Sequence, residues 1–131
     1  MNKILFTGLL LLVCNVMHAQ RGLGYKIVGV SDFYALINEK NNEVIIDTRG
    51  EGAFENRRIV GAINVGNMEK LKAFCDTIDK DTPLLVYCDV GTKSRYVCKY
   101  LVDHDFVKVY NLKGGIVKWA NAEYPIEEKK K

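Results

Sequence analysis

Leu84-Leu85-Val86-Tyr87-Cys88-Asp89-Val90-Gly91-Thr92-Lys93-Ser94-Arg95 passes from an apolar run through a short polar turn into helix-forming sequence. Pro83 opens the apolar run, and residues 84–87 read as a strand buried on both faces. Val97, Tyr100, Leu101 and His104 continue at helical spacing, so a helix begins near Ser94. This is one strand–loop–helix unit with a cysteine at the carboxyl end of the strand.

Neighbouring segments repeat the alternation. Tyr25 to Gly29 reads as a strand, and Ser31 can cap a helix that carries Phe33, Leu36 and Ile37 and ends near Lys40. Asn41-Asn42 is a turn signal. Val44-Ile45-Ile46 is a β-branched strand. Residues 48–58 read as irregular, and residues 62–65 as a second short strand. Met68, Leu71, Phe74, Cys75 and Ile78 recur at helical spacing. Residues 107–112 form a strand, Gly114-Gly115 breaks the chain, and residues 116–122 form a closing helix. Strands alternating with helices imply right-handed crossovers, hence an α/β fold: a small, mainly parallel β-sheet with helices on both faces. Sites in such sheets gather beyond the carboxyl ends of the strands. Here those segments are Asp47-Thr48-Arg49, Cys88 to Ser94, and Leu112 to Gly115.

The loop after Cys88 has the makings of an anion cradle. Backbone N–H groups in so short a turn can converge on one point, and the following helix N-terminus adds partial positive charge there. Gly91 permits a positive φ, and Lys93 and Arg95 add formal charge. These features favour thiolate over thiol, and the thiolate is the nucleophile. From the loop alone a second reading stays open, a small buried cysteine at a strand end followed by an ordinary turn.

The loop resembles the C-x-x-G-x-R-S sulfur-transfer loop of the rhodanese family, with Lys93 in place of the arginine. Two further motifs agree. Asp47-Thr48-Arg49, followed by Arg57-Arg58-Ile59-Val60-Gly61-Ala62-Ile63-Asn64, is similar to the family's D-x-R and G-H-I-x-G-A-x-N. Leu112-Lys113-Gly114-Gly115, with Trp119 and Ala122-Glu123-Tyr124-Pro125, is similar to L-x-G-G-x-x-x-W-x-x-A-G-x-P. Arg57, Arg58 and Glu123 depart from these patterns. The resemblance implies a rhodanese-like sulfurtransferase with Cys88 as the catalytic persulfide carrier. It implies contacts to a small anionic sulfur donor such as thiosulfate from Asp89, Val90, Gly91, Thr92, Lys93, Ser94 and Arg49. Cyanide or a thiol would accept the sulfur, or a sulfur-accepting protein in a carrier version of the same fold. No cofactor and no metal are implied. Phosphatases of related fold use C-x5-R; here Ser94 occupies the arginine position and Arg95 falls one place late.

Several residues carry two readings. Arg49 can steer an anionic donor or pair with a nearby carboxylate. Asp47, ending a buried strand, reads as structural. Cys75 and Cys98 read as buried free thiols, with a Cys75–Cys98 disulfide as the alternative. His104 reads as a helix-end residue and Trp119 as a core anchor.

The N-terminus has the order of an export signal: Lys3, an apolar run from Ile4 to Val13, and Ala19 before a cleavage point. The expected organisation is a signal peptide over residues 1–19 and one domain over residues 20–131, exported to the periplasm or secreted. Leu11-Leu12-Val13-Cys14 offers a lipoprotein alternative anchored at Cys14. Beyond that segment Cys75, Cys88 and Cys98 remain, an odd number, so at least one thiol stays outside any intramolecular disulfide; a thiol–disulfide role is the third reading. The net charge of +3, with Lys129 to Lys131 balanced by Glu127-Glu128, calls for no nucleic-acid partner. No membrane span is expected in the domain, and a monomer is.

Overall fold

The computed structural model describes residues 22–130. The expected signal segment, its expected cleavage point and Cys14 lie outside the described residues. In chain order the elements are β1 (Lys26–Val28), α1 (Val30–Asn38), β2 (Val44–Asp47), α2 (Glu51–Asn56), β3 (Arg57–Ile59), β4 (Ile63–Asn64), α3 (Met68–Thr77), β5 (Leu84–Tyr87), α4 (Ser94–Asp103), β6 (Val109–Leu112), α5 (Gly115–Asn121) and β7 (Ile126–Glu128). Among these helices none is long and apolar enough to cross a membrane.

Five strands form a parallel sheet in the order β1-β6-β5-β2-β4. The apolar run 84–87 supplies the central strand because all four of its residues are fully buried, as only a strand covered on both faces can be. One face packs against Leu71, Phe74 and Cys75 of α3 and Cys98 and Leu101 of α4. The other packs against Phe33 of α1 and Ile116 and Trp119 of α5. Trp119 is the expected anchor: it is 1% exposed, meets Phe33 edge-on, and donates its indole N–H to Pro125 O at 3.0 Å.

After β5 the chain moves through α4 to β6 on one side; after β2 it moves to β4 on the other. The order therefore reverses between β2 and β5, and sites in such sheets lie beyond the carboxyl ends of the strands at this switch point. The loops that begin at Asp47 and Cys88 border it.

Four local expectations are corrected. Residues 48–58 are not irregular: they hold α2 and β3. α2 is too short to show an apolar period, and β3 exists because it pairs antiparallel with β7, which pattern alone did not reveal. Arg58 ties the two strands by an ion pair to Glu127 at 2.9 Å. Gly29, not Ser31, precedes the first turn of α1. Met68 is exposed, while Asn67 caps α3 by accepting from Lys70 N at 2.8 Å. The buried stripe of α4 runs Ser94, Cys98, Leu101, with Val97 and Tyr100 at its flank and His104 exposed at the C-cap.

Candidate active site

Cys88 follows directly on β5 and is 4% exposed. Its Sγ receives the backbone N–H of Gly91 at 3.2 Å and that of Ser94 at 3.3 Å, and lies 3.2 Å from Ser94 Oγ. Ser94 is the first residue of α4, so its N–H is one of the helix's free donors, aimed at sulfur instead of water. Among the described residues these are the groups bonded to Sγ. Asp89, Val90, Thr92 and Lys93 form the rim of the loop and are exposed. Two N–H groups of the loop converge on Sγ, and the Ser94 hydroxyl beside them accepts from the thiol.

A second loop presses the first into place. The N–H groups of Ile116 and Val117, at the start of α5, donate to Cys88 O at 3.0 Å and Asp89 O at 3.1 Å. Gly115 has φ +59, and a Cβ there would lie 2.3 Å from Asp89 O. Gly91 has φ +89, and a Cβ there would lie 2.8 Å from Leu112 O. Both positions demand glycine, since a side chain would drive the two loops apart.

Beneath the loop lies a polar group that the sequence reading missed. Asn111 of β6 is 1% exposed and bonds to Ser94 Oγ through Oδ1 at 2.6 Å and to Gly91 O through Nδ2 at 3.0 Å. Cys98 Sγ lies 3.8 Å from the same Oδ1. An amide two places after Val109, on the core face of an otherwise apolar strand, was the available signal. Burial, with Cys88 close by, pushes the Cys98 thiol up to about 12. Cys75, Cys88 and Cys98 are all buried free thiols, so the disulfide alternative is not realised.

On the β2 side, Asp47 is fully buried and collects four donors. They are Arg49 N at 2.8 Å, Arg49 Nε at 3.1 Å, Arg49 NH2 at 2.8 Å and the Tyr87 hydroxyl at 2.7 Å. Arg49 NH2 also donates to the carbonyls of Arg57 and Ala53, and NH1 reaches Asp89 at 3.5 Å. The Arg49 side chain is only 8% exposed. Burial opposes its charge, but the hydrogen bond and charge of Asp47 outweigh it and hold the guanidinium above its ordinary value. Arg49 thus pairs with the Asp47 carboxylate and two carbonyls, and its remaining nitrogen faces Asp89 in the loop after Cys88.

Lys93 immediately precedes α4 and is exposed. Arg95 turns to the Tyr25 hydroxyl at 3.4 Å, lining a cavity of about 630 Å³ beside the loop that does not include Cys88.

Fold and site together define an α/β domain built around one cysteine at the carboxyl end of its central parallel strand. The chain belongs to the rhodanese-like domain family, which matches residues 29–122. It is 34% identical over 107 residues to the thiosulfate sulfurtransferase GlpE of Coxiella burnetii, covering 82% of this chain and 97% of that one. It is 37% identical over 89 residues to the enzyme of the same name from Glaesserella parasuis, covering 68% and 82%. The solved rhodanese-like domain of an Anabaena protein superimposes with a TM-score of 0.69 at 20% identity, covering 77% of each chain.

Proposed function

We propose that this protein is a sulfurtransferase in which Cys88 carries a sulfane sulfur as a persulfide. The observation that supports this best is the Cys88 Sγ beyond the central strand, met by the N–H groups of Gly91 and Ser94. These partial charges stabilise an anionic sulfur without a paired cation. The Cys88 thiolate attacks the outer sulfur of thiosulfate; the S–S bond of the donor breaks, a new S–S bond forms on Cys88, and sulfite leaves with the electron pair. Cyanide then attacks the terminal sulfur, leaves as thiocyanate, and the Cys88 thiolate is restored. A thiol acceptor would leave as its persulfide. Charge balances in each half, and two half-reactions predict ping-pong kinetics. Lys93 at the rim attracts the donor dianion, and the loop from Asp89 to Ser94 encloses it.

A protein acceptor is the second reading. Val90 in the loop and Tyr96 in the first turn of α4 are 60% and 78% exposed, apolar surface that a small donor has no use for. Export is proposed on the leader-like order of residues 1–19, and N-terminal sequencing of the secreted fraction tests it.

Intact-protein mass before and after thiosulfate tests the central reading. A gain of one sulfur, mapped to Cys88 and removed by cyanide, is the expected result; no gain, or a gain on another thiol, overturns it.

A further inference from the structure

Asn111 stands where an apolar residue belongs. In β6 it shares the face of Val109, toward the core beneath α4, and opposite it lie Ser94 and Cys98, one helical turn apart. Burying an amide there is costly unless both of its ends are bonded. Both ends are bonded, and two of its partners are parts of the sulfur cradle. Nδ2 fixes the carbonyl of Gly91, the residue whose N–H meets Cys88 Sγ. Oδ1 fixes the hydroxyl of Ser94, whose N–H also meets Sγ.

Hydroxyl arithmetic sharpens the picture. Ser94 has one hydroxyl proton and two neighbours able to accept it, Asn111 Oδ1 at 2.6 Å and Cys88 Sγ at 3.2 Å. With Cys88 as a thiol, its S–H donates to Ser94 Oγ and the hydroxyl donates to Asn111. With Cys88 as a thiolate, Sγ can only accept, and the hydroxyl is free to turn to it. Asn111 Oδ1 is then left with the Cys98 thiol at 3.8 Å. Buried as it is, that thiol keeps its proton at neutral pH.

We propose that Asn111 is a positioning residue for sulfur transfer: it anchors Gly91 and Ser94 so that two N–H groups converge on Cys88, and it releases the Ser94 hydroxyl to Sγ when Cys88 ionises. This rests on the reading of Cys88 as the sulfur carrier. The thiolate and the anionic persulfide thereby gain a third donor, and the Cys88 proton is the one proton that leaves the buried cluster.

The test uses Asn111→Leu, which fills the position with an apolar side chain of similar size, and Asn111→Asp, which keeps the shape but loses the donor to Gly91 O. Cys88 alkylation by iodoacetamide is followed against pH by peptide mass, alongside thermal melting. The expected result for Asn111→Leu is a folded protein with a lowered melting temperature, because Gly91 O and the Ser94 hydroxyl lose their buried partner, with Cys88 alkylation at neutral pH about tenfold slower and the whole rate–pH curve displaced to higher pH. A folded Asn111→Leu whose curve superimposes on that of wild type overturns the proposal. If Asn111→Leu does not fold, Asn111→Asp decides on the same curve, with displacement supporting and superposition overturning. Sulfur loading is measured separately on wild type and Cys88→Ser. A wild type that takes no sulfur at Cys88 overturns the sulfur-carrier reading, while the alkylation curves still report on Asn111.

Discussion

Two buried polar clusters lie on the two sides of the switch point between β2 and β5, and they solve opposite problems. The Asp47–Arg49–Tyr87 cluster is built on full charges. Its carboxylate accepts from three Arg49 N–H groups and a tyrosine hydroxyl, and the guanidinium also donates to two carbonyls and reaches Asp89. The buried carboxylate has each oxygen met by donors, which holds the cluster in place. The Cys88–Ser94–Asn111 cluster contains no paired ions. It meets the sulfur with backbone N–H groups and a hydroxyl that has two possible acceptors. A site that must gain and lose an atom needs donors that do not neutralise it permanently. Full charges in the first cluster fix the loop after β2; partial charges in the second leave the sulfur reactive.

The largest expected break in this contrast is Cys88→Ser. A hydroxyl cannot form a persulfide, so sulfur loading measured by mass should vanish entirely, with melting little changed. Cys75→Ser and Cys98→Ser should keep loading, because neither thiol lies in the loop. Sulfur retained by Cys88→Ser would move the chemistry to another thiol.

Asp47→Ala should break the other cluster and only that one. It leaves a guanidinium 8% exposed without its carboxylate and the Tyr87 hydroxyl without its acceptor. Removing one partner of a buried pair costs about 3–5 kcal/mol. Urea unfolding should report a loss of that order, while sulfur loading per folded molecule stays within a few-fold of wild type. Equal loss of loading and stability would show that the two clusters act as one.

The same division explains what the sequence disclosed. The central strand, the cysteine loop and the double glycine were legible because each depends on local pattern: an apolar run, a short turn, a residue without a Cβ. Asp47 was read as structural for the right reason, since a carboxylate at the end of a buried strand must find donors. Arg49 stayed ambiguous because its partners lie on two different segments, Asp47 beside it and the Arg57 carbonyl beyond α2. β3 and β7 escaped notice because short antiparallel strands are stabilised by each other across 67 or more residues of chain, from Ile59↔Ile126 outward. Asn111 escaped for a similar reason. Its role depends on Ser94 and Gly91, which the fold brings beneath it and the sequence does not.

Lys93 tests whether a full charge contributes at the rim of the partial-charge site. Being exposed, it acts on the donor through screened attraction. Lys93→Ala should lower kcat/KM for thiosulfate about tenfold, equivalent to about 1.4 kcal/mol. Lys93→Arg should keep or raise it, since a guanidinium can hold two donor oxygens. Added salt should weaken wild type more than Lys93→Ala. Identical kcat/KM for wild type and Lys93→Ala would assign donor capture to the backbone alone.

The smallest effect concerns the proton that the sulfur cluster keeps. Burial raises the Cys98 thiol from an ordinary 9.0 to about 12. In the unfolded chain that thiol ionises near its ordinary value, while in the folded protein it stays protonated. Between about pH 9 and about pH 12 the unfolded state therefore binds fewer protons, and stability must fall as pH rises. Below that window the contribution is fully present. Tyr87 and Cys75 are also pushed upward by burial and slope the same way, but they remain in a Cys98→Ala variant and cancel in the comparison. The stability gap between wild type and Cys98→Ala, measured by urea unfolding, should thus be largest at neutral pH and shrink by about pH 10. A gap independent of pH would mean that Cys98 ionises in the folded protein near its ordinary value.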